Sequence, residues 1–169
     1  MKSTIKNFLI SLLLILFFPI KSYGLIEVDI TRGNLNPLPV AVSPLSIDEK
    51  SRISFDKLLK KKNIGEEISS IVENNLKTSG LFNPLSKDAF LQAADIANLK
   101  PRFEDWNLIK AQALITGKVT NIDDKLRVEF RLWDVLAGKE MMALAFTTVP
   151  TNWRRVGHII SDKVYERLT

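Results

Sequence analysis

Polar and apolar positions alternate or recur along most of this chain with periods that name the elements. Leu25-Ile26-Glu27-Val28-Asp29-Ile30 alternates strictly, with Ile26, Val28 and Ile30 on one face and Glu27 and Asp29 on the other. It reads as a half-buried strand ended by Arg32-Gly33-Asn34. Leu38–Leu45, around Val40-Ala41-Val42, is apolar without alternation, the pattern of a central strand covered on both faces. Ser46–Asn63 is polar and lysine-rich and reads as a solvated loop, with at most one helical turn around Ile53, Phe55, Leu58 and Leu59.

The strongest helix is Ile64–Ser79, where Ile64, Ile68, Ile71, Val72 and Leu76 form one stripe. Glu66 and Glu67 suit its positive first turn, and Gly80 permits a left-handed cap that returns Leu81 to Leu76. Asn83-Pro84 reads as a turn. Lys87–Ala97 is an ambiguous helical stretch, and Phe103–Gln112 a shorter helix that faces inward through Trp106, Ile109 and Ala113. Three strands follow: Ala113–Ile122, the alternating Leu126–Asp134, and Lys139–Val149 with Met142, Leu144 and Phe146 facing the core. Asp123-Asp124 and Ala137-Gly138 supply the turns. Pro150 ends the sheet, and Asn152 is placed to cap a last helix with the stripe Trp153, Val156, Ile160, Val164 and Leu168. The expected fold is α/β: a single domain with a mixed sheet of about five strands covered by two main helices.

The N-terminus changes how the charge is read. Lys2 and Lys6 precede an apolar run, Phe8–Ile20, and Ser22-Tyr23-Gly24 supplies small residues for cleavage, so residues 1–24 read as a secretory signal. The run is about 13 residues, short of the ~20 a spanning helix needs, so the mature chain is not expected to span a membrane. Of the 24 Lys+Arg and 19 Asp+Glu, residues 1–24 hold Lys2, Lys6 and Lys21 and no acid; the remainder has 21 basic against 19 acidic residues, a balance of +2. That balance gives no footing for nucleic acid. The chain has no cysteine, which removes disulfides, thiolate chemistry and lipid attachment after the cleavage site.

Candidate chemistry is sparse. The single histidine, His158, has no metal-ligand spacing around it and reads as a residue at the edge of the core. No Gly-x-Ser-x-Gly elbow or phosphate-binding glycine loop occurs, and the pairs Asp123-Asp124 and Glu66-Glu67 have structural explanations as a turn and a helix start. No catalytic residue, metal ligand or cofactor site is assigned. The lysines at 57 and 60–62 suit a solvated loop better than a binder of acidic surfaces, because no apolar face accompanies them. Trp133, on the charged side of its strand, is expected under a helix or, failing that, in an exposed contact patch.

The order of several stretches resembles a known family. The acidic strand Leu25–Ile30 is followed by Pro39-Val40-Ala41-Val42 and by Leu76-Lys77-Thr78-Ser79-Gly80-Leu81-Phe82-Asn83-Pro84. Then come Leu114-Ile115-Thr116-Gly117-Lys118-Val119, Trp153-Arg154-Arg155-Val156-Gly157-His158 and the closing Ser161–Thr169. This pattern resembles the N-terminal domain of TolB, the periplasmic component of the Tol–Pal cell-envelope system. The resemblance implies a non-enzymatic periplasmic interaction domain that contributes to outer-membrane integrity and envelope constriction at division. It also implies that the mature N-terminus (residues 25–36, with Leu25, Ile26, Glu27, Val28, Asp29, Ile30 and Arg32 as contact residues) is the epitope for the C-terminal domain of TolA, ahead of an α/β domain over 37–169. TolB proteins continue into a β-propeller that carries the main contact with the lipoprotein Pal; this chain stops at Thr169, so Pal is expected as a partner only if a propeller follows. The chain thus reads as a fragment, a truncated frame or a stand-alone homologue, and its segment 46–63 as longer and more basic than usual for the family. Two other functions fit less well: an envelope assembly factor of the curli-secretion or lipoprotein-activator sort, usually lipidated, and a small periplasmic hydrolase, which needs a cleft holding a perturbed acid or histidine.

Overall fold

A computed structural model describes residues 36–61 and 63–169. The strand read at Leu25–Ile30 lies outside the described residues. The elements are β1 (Leu38–Val42), β2 (Ser46–Ile47), α1 (Glu49–Leu59), α2 (Ile64–Thr78), β3 (Phe82–Pro84), α3 (Ala94–Leu99), α4 (Phe103–Leu108), β4 (Ala113–Ile122), β5 (Lys125–Asp134), β6 (Lys139–Thr148) and α5 (Trp153–Leu168). The sheet is mixed, in the order β3-β1-β4-β5-β6, with β2 beside β4 beyond the end of β1. β1 runs parallel to β3 and β4, and the β4-β5-β6 meander is antiparallel.

Burial on both sides of β1 follows from its unbroken apolar run. Val40 and Val42 join a core with Ile64, Ile68, Val72 and Leu76 of α2, Val156, Ile160 and Val164 of α5, and Leu126, Val128, Phe130 and Leu132 of β5. Ala41 and Leu114 face the other way, into a smaller cluster with Ala97, Trp106, Ala111 and Val135. α3 and α4 cover that second face. Trp133 lies under them as expected, half-buried, with its Nε1 donating to Thr116 Oγ1 at 2.9 Å and its ring edge-on to Phe103 at 5.8 Å.

The first turn of α2 is closed reciprocally: Asn63 Oδ1 accepts from Glu66 N at 3.2 Å, and Asn63 Nδ2 donates to Glu66 Oε2 at 3.0 Å. At the other end Gly80 takes φ +74 and its N–H donates to Lys77 O. The Ser79 hydroxyl donates to Leu76 O at 2.7 Å and accepts from Leu81 N at 3.3 Å, so a side chain bridges the groups that a Schellman cap joins directly. Asp123 and Asp124 both take positive φ, 49° and 59°, as a two-residue primed hairpin turn demands.

The structure corrects several expectations about these elements. Ser46–Asn63 is not a loop. Ser46 and Ile47 pair with Lys118 and Val119, and α1 follows because Asp48 caps it. Asp48 Oδ1 accepts from Ser51 N and Oδ2 from Ser51 Oγ, both at 2.9 Å, while Phe55 is fully buried. Asn83-Pro84 is a short edge strand rather than a turn. Pro84 is tolerated there because only one side of β3 needs ladder bonds, and Leu85 N donates to Val40 O just beyond it. The stretches 87–97 and 103–112 shrink to a 3₁₀ turn at Lys87–Ala89 and two six-residue helices. Asn152 holds the N-cap position of α5 as expected, but its side chain makes no cap bond; its Nδ2 donates to Thr148 Oγ1 at 3.0 Å, and a 3₁₀ turn opening on Pro150 precedes the helix.

The Ser51 backbone N–H holds the Asp48 carboxyl below its ordinary range; burial, the next largest effect, opposes it, and the Ser51 hydroxyl and the charge of Lys118 add smaller lowering contributions. A depressed folded-state value means that its stabilisation is complete above the ordinary carboxylate range and is lost as pH falls through the folded-state value. Asp48→Ala is expected to cost about 1 kcal/mol at neutral pH. Urea unfolding of both proteins is expected to show this gap at pH 7 and a clearly smaller one near pH 3.

Candidate functional site

The groups that could carry chemistry are engaged structurally. His158 is exposed, further out than an edge-of-core position, on the side of α5 that meets α2; Asn75 Nδ2 donates to its Nδ1 at 2.8 Å and to Ser161 Oγ at 3.0 Å. The close approach of the two helices is set by Gly157, where a Cβ would meet Ile71 Cγ2 at 2.9 Å. Glu67 is paired with Lys61 at 2.7 Å, and Glu66 completes the cap of α2. Asp134 is buried: Oδ1 accepts from Ala137 N at 2.8 Å and closes the turn into β6, and Oδ2 has no hydrogen-bond partner among the described residues. No group of three or more metal-ligating side chains occurs among the described residues.

Three clefts among the described residues are open to solvent. One of about 330 Å³ runs between β6 and the start of α5, lined by Phe146, Thr148, Asn152, Arg155, Val156 and Ile159. Another, of about 280 Å³, lies between α1 and the β4–β5 turn and brings Lys50 and Ser54 near Asn121, Asp123 and Asp124. The third, about 350 Å³, joins Ile47, Asp48 and Lys118 to Asp95, Asn98 and Leu99 of α3. The serines that line the last two bond to other groups: Ser54 Oγ accepts from Asn121 Nδ2, and Ser46 Oγ donates to Gly117 O at 3.1 Å.

Surfaces are the more informative feature. β6 is an edge strand, and among the described residues nothing pairs with its outer side. Its inward row is only partly covered. Met142 and Phe146 pack on the core, Phe146 stacked on Phe130 with ring centroids 6.1 Å apart, but Leu144 is 38% exposed, against the expectation that all three are core. The sequence-assigned contact residues Leu25, Ile26, Glu27, Val28, Asp29, Ile30 and Arg32 lie outside the described residues. The chain that follows them enters through the exposed Asn36-Pro37 directly into β1, second in the sheet.

Comparison with known proteins fits this architecture. The family model of the TolB amino-terminal domain matches residues 26–141, more than half of the chain. The chain belongs to the TolB amino-terminal domain family. It is 78% identical over 157 residues to the Tol-Pal system protein TolB of Pelagibacter ubique, covering 93% of this chain and 35% of that relative. The chain therefore spans about a third of the length of the curated TolB protein it matches. The crystal structure of TolB from Acinetobacter baumannii shares the TolB-domain fold at TM-score 0.62 and 22% identity, over 86% of this chain and 31% of that one. A weaker likeness, TM-score 0.45 at 10% identity, is to the LpoB C-terminal domain from Salmonella enterica; it covers 77% of this chain and 89% of that one and carries no functional argument. No helix among the described residues is long and apolar enough to cross a membrane.

Proposed function

We propose that this chain is a non-enzymatic, periplasmic interaction domain of the Tol–Pal system that supports outer-membrane integrity and envelope constriction during division. Residues 1–24 direct its export, and Leu25–Ile30 with Arg32 forms the epitope for the C-terminal domain of TolA. The observation that carries this reading is the alternation of apolar and acidic residues over Leu25–Ile30, a stretch that the TolB family model matches from residue 26 onward. Such a segment can extend a partner's sheet through backbone hydrogen bonds, with Ile26, Val28 and Ile30 filling pockets and Glu27 and Asp29 left to solvent or to basic groups. Engagement of His158, Glu66, Glu67 and Asp134 in caps, turns and helix contacts supports the non-enzymatic part. Pal binding is proposed only for a form of the protein that carries a propeller.

Removing residues 25–34 is expected to weaken binding of the TolA C-terminal domain by at least about tenfold in calorimetric titration, since the main-chain contacts of an added strand are lost together. The cooperative unfolding of the domain should remain, because none of the removed residues is among the described core residues, Leu38 to Leu168. Unchanged affinity in the shortened protein would put the TolA contact elsewhere.

A further inference from the structure

An open sheet edge presents a row of N–H and C=O groups ready to pair with another chain, and proteins blunt such edges with charge, proline or a bulge. In β6 those devices are confined to one end. Lys139 and Glu140 begin the strand, and the register shift opposite Leu132 and Trp133 lies beside them. Residues 141–147 carry no charge, proline or glycine. Ala143, Ala145 and Thr147 are exposed, as is Leu144 of the inward row.

A helix runs alongside that edge. The bond from Asn152 to Thr148 fixes the start of α5 at the Thr148 end of β6, and Arg167 Nε, 3.5 Å from Met141 O, brings its last turn to the Met141 end. α5 is therefore antiparallel to β6 on the core face, and the cleft of about 330 Å³ lies between them. Phe146, Val156 and Ile159 form its apolar wall. Ala145 and Thr147 line it too, although their side chains alternate to the other face, so the cleft opens onto the free backbone edge. The one charge on the lining is Arg155, a turn in from Asn152 and so towards the Thr148 end. No ion pair or hydrogen bond engages it among the described residues. Other charges on this flank of α5 lie farther along: Lys163 pairs with Glu166 at 2.7 Å, and Asp162 is two turns on from Arg155, about 10 Å along the axis.

We propose that the β6 edge and this cleft capture an extended segment of a partner protein that sets two apolar residues and a carboxylate at alternate positions on one face. The segment adds to the sheet through backbone hydrogen bonds, and a helix beside an open edge supplies the groove for every second side chain. The residues opposite Leu144 and Phe146 are apolar and fill the cleft against Val156 and Ile159. The residue opposite Thr148, two further on, carries the carboxylate that meets Arg155. A second copy of this chain fits less well, because the row that β6 would offer, Met142, Leu144, Phe146 and Thr148, has no carboxylate for Arg155. Leu25–Ile30 fits less well too, since its acids alternate to the face opposite its apolar residues.

The test uses the processed, isotope-labelled protein and two blocked peptides, acetyl-Thr-Val-Thr-Val-Thr-Glu-Thr-amide and the same residues in reverse order, one for each strand direction. At millimolar concentration one of them should shift the amides of Ala143, Ala145 and Thr147 and the Arg155 Nε–H, leaving α3 and α4 unchanged. Glutamine in place of its glutamate should weaken binding about two- to fivefold, and lysine should weaken it further. Arg155→Glu should invert that order, so that the lysine peptide binds more tightly than the glutamate one; the gain also shows that the variant is folded. Absence of β6 shifts with both peptides, equal binding of the glutamate, glutamine and lysine forms, or an unchanged order in Arg155→Glu overturns the proposal. β6 shifts on dilution of the protein alone would overturn it in favour of a second copy. Protection of the β6 amides that is lost on removing residues 25–34 would overturn it in favour of the chain's own N-terminus.

Discussion

Replacing Gly65 with alanine is expected to destabilise the domain by about 2–3 kcal/mol and to lower its melting temperature by roughly 5–10 °C. By helix propensity alone the substitution should help, since alanine in a helix is favoured over glycine by about 1 kcal/mol. Contact reverses the sign. A Cβ on Gly65 would lie 2.1 Å from the Leu45 carbonyl oxygen, a backbone atom that cannot swing aside as a flexible side chain can. Leu45 is itself pinned from the other direction: a Cβ on Gly117 would meet its Cδ2 at 2.7 Å and Glu129 O at 2.4 Å. Retreat of Leu45 would pull on the chain entering β2 and α1. Gly80→Ala is the control. Gly80 takes φ +74 with nothing within 4 Å, so only the conformational cost, about 1 kcal/mol, applies. Thermal unfolding should therefore rank Gly65→Ala well below Gly80→Ala. The reverse order would mean that the packing of α2 on the β1–β2 connection is looser than described.

Trp106→Ala should cost about 3–5 kcal/mol in urea unfolding. Trp106 is 1% exposed, edge-on to Phe90 at 5.0 Å, and the largest side chain in the smaller core behind β1 and β4. Its Nε1 donates to Gln92 Oε1 at 3.0 Å, and the same oxygen accepts from Arg102 N at 2.9 Å. Gln92 Nε2 donates to Lys100 O at 3.1 Å, so one buried amide ties together the two ends of α3 and the entry to α4. Trp106→Phe keeps most of the packing and leaves Gln92 Oε1 with the Arg102 N–H, so about 1–2 kcal/mol is expected. A cost for Trp106→Ala below about 1 kcal/mol would show that α3 and α4 are not stably packed on the second sheet face.

The elements legible in the sequence are those whose own residues carry a full period. α2 and α5 present an apolar residue to the core at every turn, and the meander alternates between explicit turn residues. β1 needed no partner to be recognised, since Val40-Ala41-Val42 is apolar on both faces. The missed elements owe their form to distant contacts. α1 rests on one fully buried aromatic, Phe55, and on an aspartate cap; its other apolar residues, Ile53, Leu58 and Leu59, do not form one stripe with Phe55, so its periodicity is faint, although Asp48 three residues before Ser51 is a usable start signal. β3 exists because Leu38, Pro39 and Val40 lie beside it, a parallel pairing that local turn chemistry at Asn83-Pro84 does not reveal. The short helices near 94–108 depend on Gln92, whose role as a buried clamp has no local signature. At the candidate site, the assigned contact residues were read from alternation together with family resemblance.

The most direct test is an NMR titration of the processed, isotope-labelled protein with the C-terminal domain of TolA. The prediction is that amide shifts concentrate in Leu25–Arg32, with smaller changes at Asn36 and the start of β1 and none across α2 or α5. Shifts that leave Leu25–Arg32 untouched and map instead to the β6 edge or another face of the domain would contradict it.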